Sequence, residues 1–217
     1  LEELSRQRQT PPQRRREPFQ PGVRYENQKE PPVYTVSVRT AGQVSGDLLK
    51  LRPALLYLPV GEGAAHPDTV RRCQDAGVAV AALLPRICTD RELPQLEQEL
   101  VAMRELGVAE ALAGTWGGVQ RAGRLGFQVR GDYGLGVYNS QTMKELKRLG
   151  LLSATISFEL KFPQIRDISK TLPTEFIAYG RLPLMITETC IIYNHCGRHT
   201  CENVNLLTDR KGERFPV

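Results

Sequence analysis

The run ALLYLPV at residues 54–60 is followed by PDTVRRCQDAG at 67–77 and then by VAVAALLP at 78–85. The two apolar runs are continuous rather than alternating, and each is short. A strand that reads this way is covered on both faces, as in a parallel sheet flanked by helices. The segment between them carries its own helix punctuation: Pro67 suits a first helical position and Gly77 suits the residue just past the end.

The same beat continues along the chain. After 78–85 comes a segment with Thr89-to-Glu92 capping-box spacing and apolar residues at Leu93, Leu96, Leu100 and Met103, ending at Gly107. VAEALAG (108–114), FQVRGDYGLGVYNS (127–140), LLSATIS (151–157) and EFIAYG (175–180) then supply further strand ends, with a helix expected from about Ser140 to Leu149. Strand starts near 54, 78, 109, 128, 152 and 175 recur at roughly 24 residues, a spacing comfortable for a (β/α)8 barrel. Six units do not close eight strands. The expectation is the C-terminal part of an α/β, TIM-like (β/α)8 barrel over 53–190, incomplete, with two or more units upstream. A small β element, VYTVSVRT within 33–52, is expected before it, because its alternation marks a strand with one wet face.

Residues 1–32 hold six of the fifteen prolines and little to bury, which reads as a basic, proline-rich linker and as an interior piece of a longer chain. Net charge is +5, and RRR at 14–16 is the one real cluster of it. Without interleaved aromatics that cluster is read as a solvated arm rather than an RNA-binding one. With 24% charged and 41% hydrophobic residues the composition is that of a globular chain, and no apolar run is long enough for a membrane span. Five cysteines without secretory context point to a reducing, cytoplasmic setting.

Three of those cysteines and two of the three histidines fall within twelve residues, 190–201. Cys190, Cys196 and Cys201 are candidate thiolate ligands, and His195 and His199 lie between them. Such donors suit an iron-sulfur cluster or a mixed Cys/His zinc site; the spacing alone leaves ligated and unliganded thiols open. Cys73 and Cys88 are read as packing residues. Asp132, Tyr133, Asn139, Glu159 and Glu175 stand near strand ends, where barrel enzymes assemble their sites. Asn139 and Ser140 also suit helix caps. Arg181 and Arg198 could hold an anion. No HExxH or GxSxG pattern is present, and His66 reads as a surface or capping residue.

GDYGLGVYNS (131–140), ATISFEL (154–160), EFIAYGRLPLMITETC (175–190) and LTDRKGERFPV (207–217) resemble the collagenase-like peptidases, family thirty-two of the peptidases of unknown catalytic type. Glu175, Gly180, Leu182 and Cys190 match the family signature. Phe176 is displaced by one, Arg181 replaces a small residue, Pro183 stands where a first cysteine belongs, and Glu188 replaces glycine. The YGRLPLM form resembles a longer-chain branch.

The resemblance implies a barrel protein. It also implies either a metal- or thiol-dependent endopeptidase or an enzyme holding a [4Fe-4S] cluster through cysteines and hydroxylating RNA or a small molecule. On this reading Cys190, Cys196 and Cys201 hold the cluster with a fourth ligand outside the chain, zinc being the alternative. Glu175, Glu159 and Asn139 are the catalytic candidates, and the substrate is protein or RNA. A non-catalytic RNA-binding protein with a structural zinc site is a further alternative. LTDRKGERFPV is read as a β-hairpin, and an unfinished barrel is expected to aggregate through its open edges.

Overall fold

The structure is a computed structural model that describes residues 2–9, 18, 27, 31–183, 186–187, 189–197 and 205–216. It divides into two units, Leu1–Ile177 and Ala178–Val217, and each is taken by itself. Cys201, His199, Arg198 and Glu188 lie outside the described residues.

In the first unit each continuous apolar run becomes a strand. β1 (Thr35–Ser37), β2 (Leu55–Pro59), β3 (Ala79–Leu83), β4 (Glu110–Ala113), β5 (Gln128–Gly131), β6 (Ser153–Thr155) and β7 (Thr174–Glu175) form one sheet in that order. Every neighbouring pair is parallel. The helices between them are α2 (Gly46–Lys50), α3 (Val60–Ala65), α4 (Pro67–Asp75), α5 (Leu93–Glu105), α6 (Trp116–Arg124), α7 (Ser140–Arg148) and α8 (Phe162–Asp167); α1 is Glu2–Gln9. The sheet curls into an incomplete TIM-like barrel.

One boundary differs from the sequence expectation. The β element at 33–52 does not stand apart: β1 pairs with β2 through Thr35↔Leu55 and Ser37↔Tyr57 and is the first strand of the same sheet. Its polar alternation comes from Thr35 and Ser37 pointing into the barrel interior, while Val36 packs outward. Among the described residues the sheet has seven strands, and β1 and β7 are not paired with each other. The linker region is also tied down at one point. The side chain of Asn27 donates to the carbonyl of Ile168 at 2.9 Å and accepts from the amide of Lys170 at 2.7 Å.

Local signals place the helices as the sequence requires. Glu92 accepts hydrogen bonds from the Thr89 amide and hydroxyl ahead of α5, and Leu96, Leu100 and Met103 then face the core. Gly77, Gly107, Gly126 and Gly150 each close a helix with positive φ. The outer faces of the strands, including Leu56, Leu58, Val80 and Ala111, pack with Val70, Cys73, Leu100 and Met103. A second cluster joins Ala154 and Ile156 to Met143, Leu146 and Ile168.

The second unit contains α9 (Ile191–Cys196) and the antiparallel pair β8 (Leu206–Thr208) and β9 (Arg214–Pro216). This is the expected hairpin, with Gly212 at φ 85° in its turn. Among the described residues no helix is long and apolar enough to cross a membrane.

Leu58 is fully buried between β2 and the helices. Leu58→Ala is expected to lower unfolding free energy by about 2–5 kcal/mol, read from urea denaturation.

Candidate active site

Because side chains alternate across a strand, the parallel register fixes what lines the barrel. Leu55, Tyr57, Ala81, Leu83 and Leu112 form the apolar part of the interior. Glu110, Arg130, Ser153, Thr155 and Glu175 occupy the same inward positions on β4 to β7. Glu175 is the hub. Its carboxylate accepts from the Tyr57 hydroxyl at 2.7 and 2.8 Å, from the Thr35 hydroxyl at 3.0 Å and from the Ser153 hydroxyl at 3.0 Å. Arg130 donates to Glu175 at 3.3 Å, to Ser153 at 3.0 Å and to Glu110. Burial pushes the Tyr57 phenol well above its usual range, and the adjacent Glu175 adds to the shift. Burial opposes the charge of Arg130, but the hydrogen bond to Glu110 and the surrounding negative groups raise its pKa overall.

Beyond this layer lie the C-terminal ends of the strands. Asp132 follows β5, and its carboxylate accepts from the Tyr133 amide at 2.7 Å. Burial raises its pKa; the Tyr133 amide and the nearby charge of Arg86 oppose the rise, and Glu175 adds to it. Arg86, after β3, donates to the Tyr133 hydroxyl at 3.1 Å and lies 4.9 Å from that ring's centroid. Tyr133 meets Phe158 edge to face at 5.4 Å. The Tyr138 hydroxyl donates to Glu159. The loops after β4 and β5 touch through backbone: a Cβ at Gly134 would collide with the carbonyl oxygen of Gly114. These side chains make a half-buried carboxyl in the field of a guanidinium that lies over the neighbouring Tyr133 ring, with aromatic walls, a setting suited to proton transfer on an anionic or polarised group.

The residues singled out by sequence separate into three places. Glu175 closes β7 rather than opening it, and points into the interior network; it is electrostatically felt by Asp132 at the mouth. Glu159 sits at the mouth with Tyr138. Asn139 caps α7, its side-chain oxygen accepting from the Gln141 and Thr142 amides at 2.9 and 3.0 Å. Arg181, Cys190, His195 and Cys196 belong to the second unit, where Arg181, His195 and Cys196 are exposed. His66 stands between α3 and α4, and Cys73 is in the core. Sequence reasoning missed Tyr57, Arg130 and Ser153, although each is a polar residue inside an apolar strand. It also missed Arg86, Tyr138 and Phe158, which follow strand ends.

Residues 64–203 match the sequence profile of Peptidase family U32, well over half of the chain. The chain belongs to peptidase family U32. The U32 peptidase Mk0906 is a structural neighbour at TM-score 0.51 and 15% identity, covering 70% of this chain and 71% of that one. A mandelate racemase/muconate lactonizing protein from Paracoccus denitrificans PD1222, solved with magnesium, aligns at TM-score 0.40 and 13% identity over 56% of this chain and 38% of that one. No curated protein matches the chain. The U32 neighbour supports the barrel-type fold.

The U32 chain's cysteine segment carries thiol and imidazole donors. The donors suit soft-metal binding. Cys190 caps α9, its sulfur accepting from the Tyr193 amide at 3.3 Å, and Cys196 is the last residue of that helix. Cys196 follows Cys190 by six positions, a rise of about 9 Å along the axis that leaves them on different sides of the helix. In this arrangement the two thiols do not converge, and no group of three or more potential metal-binding side chains forms among the described residues.

Two outcomes are expected. Arg130→Met leaves Glu110 and Glu175 in the barrel without their cation and should cost about 2–4 kcal/mol, less than for a fully buried triad because all three side chains keep some exposure; chemical denaturation measures it. Asp132 holds its proton more tightly when folded than when unfolded. Between its ordinary pKa and its raised one the folded state therefore binds more protons, so its contribution to stability falls as pH rises through that window. Asp132→Asn should flatten the pH–stability profile there, as read by thermal melts across acid pH.

Proposed function

We propose that this U32-family chain is the reaction-bearing part of an enzyme, with its chemistry at the C-terminal ends of the barrel strands and Asp132 as the proton-transfer group. The observation that carries the reading is the position of Asp132: a half-buried carboxyl just past the end of β5, held by the Tyr133 amide, where burial raises its pKa and the charge of Arg86 opposes the rise. A carboxyl with a raised pKa exchanges protons nearer to neutral pH, and the Arg86 guanidinium can stabilise negative charge developing next to it. Glu159 is a second carboxylate on the same face.

The cysteine segment is proposed to bind a [4Fe-4S] cluster through Cys190, Cys196 and Cys201 with a fourth ligand from elsewhere. Zinc held with His195 or His199 is the competing metal. The density of donors and the family membership support this. Ligation by both Cys190 and Cys196 requires α9 to open, because as a helix it holds them apart. A bound cluster supplies one-electron chemistry, which suits hydroxylation of RNA or of a small molecule. A second reading, an endopeptidase, is favoured by Asp132 lying within the field of the Arg86 charge, which fits activation of a water and stabilisation of an oxyanion. The substrate in that case is protein.

Iron, acid-labile sulfide and zinc measured on anaerobically purified protein and on Cys190→Ala, Cys196→Ala and Cys201→Ala separate the readings. Iron and sulfide near four per chain, lost in the variants, support the cluster enzyme. Absence of iron removes it, and peptide cleavage lost in Asp132→Asn then supports the peptidase. Asp132→Asn is expected to lower kcat by 10²-fold or more on the true substrate, on the order of a general acid–base contribution. Unchanged turnover would remove Asp132 from the mechanism.

A further inference from the structure

We propose that Arg86 is a specificity-determining anchor at the mouth of the barrel, where its guanidinium binds an oxyanion group of the ligand, a phosphate or a carboxylate. This names the ligand chemistry of the mouth and rests on the proposed function for the place where the ligand binds, though not on Asp132 performing the chemistry.

Arg86 follows β3 and is exposed. A long exposed side chain explores many rotamers unless something holds it. Here one residue holds it twice: Nη1 donates to the Tyr133 hydroxyl at 3.1 Å, and the guanidinium carbon stands 4.9 Å from the centroid of the same ring. Tyr133 is itself fixed. Its ring meets Phe158 edge to face at 5.4 Å, its amide donates to Asp132 at 2.7 Å, and the next residue, Gly134, lies against the Gly114 carbonyl. The position of the charge is therefore set before a ligand arrives.

What this charge lacks is a counter-ion. A guanidinium carries five N–H donors and no acceptor. Among the described residues the Arg86 side chain makes one hydrogen bond, to Tyr133, and no ion pair. Arg130, deeper in the barrel, is paired with both Glu110 and Glu175. Glu159, the other carboxylate of the mouth, takes the Tyr138 hydroxyl instead. The donors left on Arg86 match two oxygens of a phosphate or carboxylate, and a neutral or cationic group gains nothing from them. Arg104 supplies the contrast: it too lies over an aromatic ring, Phe127, at 5.3 Å, but next to the start of β5 at the opposite end of the strands.

Filling the anchor acts on Asp132. The proton affinity of Asp132 is raised by burial and by Glu175, and lowered by the Tyr133 amide and the charge of Arg86. An anion on Arg86 cancels that positive charge and so favours the protonated carboxyl. By reciprocity, protonation of Asp132 strengthens anion binding, and anion affinity increases as pH falls through the Asp132 titration.

The test is an NMR titration of the full chain with inorganic phosphate and, separately, acetate at neutral pH, followed at Arg86 Nε and the Tyr133 amide. Saturable binding of one of them is expected, weakened about tenfold or more in Arg86→Gln and unchanged in Arg104→Gln. Arg86→Lys and Tyr133→Phe keep the positive charge but lose the fork or its fixing, and each should weaken binding roughly threefold or more. Tighter phosphate indicates a phosphate-bearing ligand, and tighter acetate a carboxylate-bearing one. Sulfate, whose charge stays constant over acid pH, should bind more tightly as pH falls, with a flatter profile in Asp132→Asn. Non-saturable shifts, or a loss in Arg104→Gln as large as in Arg86→Gln, would overturn the anchor. A pH profile unchanged in Asp132→Asn would overturn its coupling to the acid. Because binding is read without turnover, an Asp132→Asn variant that keeps full activity would remove Asp132 from the chemistry and leave the anchor standing.

Discussion

The barrel depends on the carboxylate of Glu175. It stands at the end of the shortest strand and is held by groups from β1, β2, β5 and β6, so β7 is tied to the rest of the sheet through the interior as well as through its two-residue ladder. A buried charge is expensive unless every lone pair is used. Here hydroxyls from Thr35, Tyr57 and Ser153 and the guanidinium of Arg130 use them. The same requirement fixes register: a one-residue slip of β7 would turn Glu175 onto the outer, apolar face.

That arrangement explains which parts of the fold could be read from sequence. The outer faces of the strands were legible because Leu56, Leu58, Val80 and Ala111 belong to continuous apolar runs, and the helices because Pro67, the Thr89–Glu92 pair and the closing glycines leave local marks. The interior was not, because Tyr57, Arg130 and Ser153 are single polar residues whose partners lie far away along the chain. β1 was set apart for the same reason: Thr35 and Ser37 look solvent-facing until Glu175 is placed opposite them.

The site shows a similar division. Residues following strand ends, such as Asp132, Tyr133 and Glu159, could be nominated from position alone. Arg86 could not, since its significance comes from lying over the Tyr133 ring contributed by a loop 47 residues away. The cysteine segment is the reverse case. Its composition raises the expectation of a ligand site, while the helix it forms holds Cys190 and Cys196 apart.

The contact between Gly114 and Gly134 bears on how this mouth can vary. Because the loops after β4 and β5 meet backbone to backbone, with no side chain between them to shorten or lengthen, their spacing is set by the main chain itself. A side chain at position 134 would force the two loops apart and carry Asp132 and Tyr133 with them. Diversification of the mouth is then confined to its other walls, at Arg86, Tyr138 and Phe158, where side chains can be exchanged without moving the acid.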